Sequence, residues 1–328
     1  MSAKGCDDCA AQACAIERRL ADMARRLRSL HDGELAVFDA LAIGTEAVPT
    51  LRELLFERDP AGIFEPRRWA VQALAALHAF GVLKEFIARW HPASDPVERL
   101  GDEAVLSAAA RALATAGDET AFAVLFAAAR EHPVSGVIEA LGCYKRAESI
   151  PVLIESLMDD CAARPAQEAL HAFGQTAVPA LVEATLRGIV GMNGRETPSS
   201  IHRRRRALSV LLELGAGPEV QSRIRSLVYD EDDEIAALAC GIAITSPDAA
   251  LSLECAERLV ALLRLAARPL RREIEDYLIT NIAVARECVE HALRLTVQER
   301  SNDLQRARFI RSLQRVLMTV SVGRDGLS

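Results

Sequence analysis

The chain has 328 residues, 50% of them apolar and 26% charged, with a formal net charge of −7. That apolar share excludes a disordered chain. The acidic balance argues against a protein that wraps nucleic acid, which needs a basic stripe or domain to neutralise phosphates.

Aromatics are only 4%, while Ala, Leu, Arg and Glu dominate. These residues lose little freedom in a helix, whereas sheets favour β-branched and aromatic side chains. The predicted class is all-α. The length suggests about two domains. No stretch approaches about 18 uncharged apolar residues, so no membrane span is expected, and the opening MSAKGCDDCAAQ lacks the apolar core of a secretory leader. The expectation is a cytoplasmic protein whose eight cysteines are reduced.

Residues 1–33 read as a tail followed by a charged amphipathic capping helix, IERRLADMARRLRSL. Cys6, Cys9 and Cys14 have C-x2-C-x4-C spacing, and His31 is the nearest further ligand candidate. Zinc and iron–sulfur sites normally take four ligands, and a CxxC without its second half is weak. No metal and no other cofactor is expected. Cys143, Cys161, Cys240, Cys255 and Cys288 are scattered and read as small buried hydrophobes.

From residue 34 the chain is punctuated by glycines that close runs of helix formers: Gly44, Gly81, Gly117, Gly142, Gly174 and Gly215, spaced 37, 36, 25, 32 and 41 residues apart. Glycine ends helices by taking the left-handed position after the last turn, and a loose period of about 30–40 marks stacked two-helix units. A second mark follows several of these glycines: a short polar link, a proline, then an amphipathic run, as in GTEAVPTLRELL (44–55), YKRAESIPVLIESL (144–157) and GQTAVPALVEATL (174–186). Proline suits a first helical turn, where its missing N–H leaves no bond unmade.

The hexamer ALHAFG occurs twice, at 76–81 and 169–174. Equivalent helices with equivalent packing would explain it, with Leu77, Phe80, Ala73 and Ala76 in the first copy facing inward like Leu170, Phe173, Ala166 and Ala169 in the second. This pattern resembles HEAT repeats, above all the short bacterial phycobilisome-lyase HEAT-like type, with 148–186 the best match. The resemblance covers 34–245 and extends less clearly to about 320. It implies a right-handed α-α superhelix of roughly 6–8 helix pairs, with the array over 34–268 and capping helices over 269–328.

The array is broken at 187–200, RGIVGMNGRETPSS, where a turn of a few residues would suffice. Next comes IHRRRRALS (201–209), four arginines at a helix start, where positive charge opposes the helix dipole. One of them fits the position that carries an inter-repeat arginine in HEAT-like repeats. The others read either as a solvated face or as a site for an acidic protein surface or a phosphate. YDEDDE (229–234) lacks the glycine of a calcium loop and reads as a turn with an acidic helix start.

His78 flanks an apolar stripe, while His171 shares a polar stripe with Arg164 and Gln167. No GxSxG, Walker loop, HExxH or dinucleotide fingerprint is present, nor any of the His-Glu dipeptides by which HEAT-like deoxyhypusine hydroxylases hold iron. The expected function is a non-enzymatic scaffold, adaptor or assembly factor that binds another protein on its concave face, with Arg164, Gln167, His171, Arg203 and Arg206 as contacts. A bilin-lyase-like enzyme or subunit is the alternative, and a HEAT-like nucleic-acid reader a further one.

Overall fold

The computed structural model describes residues 4–59, 62–299 and 304–322, with the side chains of 4–13 and 320–322 left aside. The described chain is all-α, without a β-strand; its one β feature is an isolated bridge between Val190 and Glu196. The helices are α1 (Lys4–Leu27), α2 (Gly33–Ile43), α3 (Val48–Phe56), α4 (Glu65–Ala76), α5 (Phe80–Ala88), α6 (Pro96–Ala114), α7 (Glu119–Glu131), α8 (Ser135–Cys143), α9 (Ile150–Ser156) and α10 (Ala163–Phe173). Then follow α11 (Val178–Leu186), α12 (Pro198–Leu214), α13 (Pro218–Arg223), α14 (Asp233–Ala243), α15 (Ala249–Leu265), α16 (Arg268–Thr280), α17 (Ile282–Gln298) and α18 (Leu304–Val322).

The three proline-marked segments build the same local structure. Each starts with a short 3-10 turn, at Gly44–Ala47, Ala147–Ser149 and Gly174–Thr176, and continues into a helix with proline in its first turn. The apolar stripe behind each proline is buried: Leu51 and Leu55, Leu153 and Leu157, Leu181 and Val182 are all fully covered.

The chain divides into two compact units, Met1–Ser156 with Asp160–Ala169, and Leu157–Asp159 with Leu170–Ser328. In the first, α1/α2, α3/α4, α5/α6 and α7/α8 pack as helix pairs; α2, α4, α6 and α8 succeed one another in one layer and α1, α3, α5 and α7 in the other. In the second, the pairs are α11/α12, α13/α14, α15/α16 and α17/α18, with α12, α14, α16 and α18 in one layer. This is the stacking of helix pairs expected of a HEAT-like repeat, since no single pair buries its apolar face alone. Residues beyond 268 keep the same pairing, and their core joins Leu270, Ile274 and Leu278 of α16 to Val289, Phe309 and Leu313.

The doubled hexamer does not fold twice in the same way. In the second copy it ends α10, and Gly174 takes the left-handed position at φ 57°. In the first, α4 has already stopped at Ala76, and His78 takes that position at φ 55°. The Ala79 N–H bonds Leu74 O at 2.8 Å and the His78 N–H bonds Ala75 O at 3.0 Å, the pair of bonds that closes a helix around a left-handed residue. Helix α5 then begins at Phe80. No GQTAVP-type link follows the first copy, so the turn must fit inside the hexamer itself. Of the residues expected inward, Ala73 is buried, Leu77 and Phe80 are half-buried and Ala76 is exposed; in the second copy Ala166, Ala169 and Leu170 are buried and Phe173 half-buried. Among the marker glycines, Gly44, Gly117, Gly174 and Gly215 have positive φ, while Gly142 lies inside α8. There a Cβ would come within 2.6 Å of the Ala169 Cβ, so Gly142 permits a close helix approach rather than ending a helix.

Candidate functional site

Helix α12 begins at Pro198 with Thr197 as its cap, the hydroxyl accepting from the Ser200 N–H at 3.3 Å. The four arginines sit on its second and third turns, and each is bonded within the protein. Arg203, 8% exposed, sends Nη2 to the Arg187 carbonyl at 2.5 Å. Arg204, 6% exposed, sends Nε to the Thr185 carbonyl at 2.8 Å, Nη1 to Glu196 at 2.6 Å and Nη2 to Asp230. Arg205 grips Asp232 through Nε at 2.9 Å and Nη2 at 2.5 Å and also pairs with Glu234. Arg206 sends Nη1 to the Leu157 carbonyl at 2.6 Å.

These bonds resolve the conflict with the dipole of α12. The guanidiniums of Arg203 and Arg204 meet the carbonyl end of α11, where the partial charge is negative, and acids from 229–234 neutralise Arg204 and Arg205. Burial pushes the Asp232 carboxyl up, but the hydrogen bond from Arg205, the Ile235 and Glu234 N–H groups and the Arg205 charge together hold it below the ordinary aspartate value. The YDEDDE segment is thus an arginine-binding turn whose Asp232 also caps α14 through the Ile235 N–H at 3.0 Å. Arg204 joins the end of α11 to the link before α14, and the guanidiniums of Arg203 and Arg206, expected as outward anchors, bond backbone carbonyls.

The break before α12 is an ordered hairpin-like loop over 187–197. Thr197 N–H bonds Ile189 O at 2.9 Å, Gly191 N–H bonds Arg195 O at 2.8 Å, and Val190 bridges Glu196. The loop base is fixed to α12: the Ile189 N–H bonds Ser200 Oγ at 2.9 Å, and Ser200 Oγ donates to Glu196 Oε1 at 2.6 Å. On this tied frame Ile189 is 43% exposed, Val190 64% and Met192 108%. In the sequence the only signal for this apolar tip is three apolar residues, Ile189, Val190 and Met192, inside a glycine-rich break.

Arg164 is exposed and paired with Glu168 at 2.9 Å one turn along α10; Gln167 is half-buried and His171 exposed. Cys14 is exposed, and the side chains of Cys6 and Cys9 lie outside the described residues. Among the described residues no group of three or more His, Cys, Asp or Glu side chains is placed to hold a metal ion. Cys240 and Cys255 are buried as expected and Cys288 half-buried, but Cys143 and Cys161 are exposed, because each lies at or beyond a helix end rather than on a buried stripe. No described helix is long and apolar enough to cross a membrane.

No protein-family model and no curated protein matches the chain. Among solved structures it is similar to the complex of CpcE and CpcF of phycocyanin lyase from Nostoc sp. PCC7120, at 19% identity over 81% of this chain and 93% of that one, with a TM-score of 0.32. It is also similar to an engineered protein at 17% identity over 93% and 97%, TM-score 0.23. The fold assignment stands on the helix packing itself.

Proposed function

We propose that the protein is a non-enzymatic helical-repeat scaffold that binds another protein, and that the 189–196 hairpin is a principal contact. The observation that carries this reading is the pairing of rigidity with apolar exposure. A loop whose backbone and base are held by hydrogen bonds presents Val190 and Met192 to solvent. Exposed apolar groups on a long, ordered loop of a rigid scaffold are characteristic of recognition, and methionine adapts readily to an irregular partner surface. Arg164, Gln167 and His171 are retained as proposed polar contacts. Arg203 and Arg206 are not, since their guanidiniums bond backbone carbonyls.

The test is affinity capture from the native host with quantitative mass spectrometry, comparing the wild-type chain with Val190→Asp/Met192→Asp. Both side chains are solvent-facing, so the variant is expected to melt at the wild-type temperature and to lose its partner. Unchanged capture by a folded variant would refute the role of the hairpin.

A further inference from the structure

Helices α16 and α18 of the second unit flank a cavity of about 560 Å³ whose charge contrasts with the acidic chain around it. Arg268, Arg271 and Arg272 line it from α16, and Arg308, Arg311 and Arg315 from α18. Among the described residues the one carboxylate in the lining is Glu275, and it is taken: Arg315 Nη1 holds it at 2.8 Å. Arg268, Arg272 and Arg308 are exposed and make no ion pair or hydrogen bond among the described residues. Arg271 anchors Nη2 on the Ala266 carbonyl at 2.8 Å, but its buried Nε has no partner among the described residues. The first turn of α16 opens on the same space, and its cap residue, Ala267, has no side chain able to bond the free N–H groups.

Like charges are not gathered this way for stability. Several guanidiniums around one cavity repel one another, a partnerless buried N–H is itself unfavourable, and an uncapped helix start adds partial positive charge. One ligand chemistry relieves all three, and we infer that this cavity binds a compact anion carrying two or more phosphate groups. The planar guanidinium pairs bidentately with phosphate oxygens, and a helix N-terminus supplies N–H donors to the same group. The volume lies within the roughly 300–1,000 Å³ of small-molecule sites. Among the described residues no aromatic side chain lines the cavity, so they offer no stacking platform of the kind that single-stranded nucleic acids use. Charge and size therefore favour a small polyphosphorylated ligand, either free or as the headgroup of a phosphorylated lipid.

The test is calorimetric titration of the full chain with inorganic tripolyphosphate at low salt, up to about 1 mM, alongside Arg268→Ala/Arg308→Ala. Both positions are exposed and partnerless, so the variant should show the wild-type melting temperature. The expected result is one site per chain, weakened roughly tenfold or more in the variant and by added salt. Sedimentation with vesicles containing a bisphosphorylated inositol lipid then identifies the source: co-sedimentation lost in the variant points to a headgroup, its absence to a free ligand. No tripolyphosphate binding, equal binding by the variant, or binding of an oligonucleotide without tripolyphosphate would each overturn the proposal.

Discussion

Arg204 makes in the second unit the bonds that Arg67 makes in the first. Each stands near the start of the second helix of a pair and places Nε on the carbonyl of the last residue but one of the helix before it, Leu55 at 2.9 Å for Arg67 and Thr185 at 2.8 Å for Arg204. Each then reaches an aspartate of the following pair, Asp102 or Asp230. One side chain thereby closes a helix end and pins the next pair. Arg306 also bonds the end of its preceding helix, through the Thr296 and Val297 carbonyls at 2.8 and 3.0 Å.

Asp102 is 2% exposed and holds Arg58 as well as Arg67. Replacing it by Asn should leave the buried Arg67 charge uncompensated and cost about 3–5 kcal/mol, whereas Arg67→Met with Asp102→Leu should recover most of that loss. Urea unfolding of Asp102→Asn and of the double checks this; equal losses in the two would show that packing, not charge, holds the joint.

Charge reversal at Arg203 and Arg206 should destabilise the chain. Each Glu would face a carbonyl it cannot bond, and the acceptor on buried Leu157, left without its donor, alone costs about 1–3 kcal/mol. Arg164→Glu, at an exposed site, should stay within about 0.5 kcal/mol of wild type. Thermal melts of the two variants separate the inward arginines from the solvated one.

The two copies of ALHAFG respond oppositely to glycine exchange. Gly174→Ala puts a Cβ into a left-handed conformation with open space around it, so the expected loss is backbone strain alone, about 1–2 kcal/mol. His78→Gly relieves the same strain and should stabilise by up to about 1 kcal/mol, less whatever the edge contact of His78 with Phe80 supplies. Denaturant midpoints moving in the same direction would contradict the two turn assignments. In the adjoining helix, Leu170→Ala should cost about 2–5 kcal/mol, and Phe173→Ala less, since its ring is only half-buried.

Asp118 caps α7: its Oδ1 accepts the Thr120 hydroxyl at 2.6 Å and the Ala121 N–H at 2.7 Å, and these bonds hold its carboxyl down at about 2. A lowered folded value means that the cap contributes fully above the ordinary aspartate value and fades as pH falls through about 2. Asp118→Asn should therefore lower stability at neutral pH and reduce its loss on acidification across that window. A variant whose acid titration of stability parallels wild type would refute the assignment.

Most of the fold was legible because its signals are local. The TEAVP, ESIP and QTAVP links each carry the turn, the proline and the buried leucines within a dozen residues. The hexamer misled because residues beyond it decide where its helix stops: a polar link lets α10 run to Gly174, while its absence forces the earlier stop at His78. The arginine run was recognised as costly to its own helix, but the groups that compensate it, at Leu157, Thr185 and Asp230, are 49, 19 and 26 residues away. Nothing in the spacing of α16 and α18 announces that their arginines meet across one cavity, because that juxtaposition is made by packing.

Arg67 and Arg204 give their joints a different tolerance from the joint between α6 and α8, where a Cβ on Gly136 would run into the backbone and side chain of Ser107. At an arginine joint, volume is negotiable and charge is not, since losing either partner strands an ion away from water. At Gly136, a polar or apolar group is refused alike, for want of room. Neighbouring repeats of one architecture thus drift under different rules, one set by sign and the other by size, and a helix pair moved from one kind of joint to the other would carry the wrong rule with it.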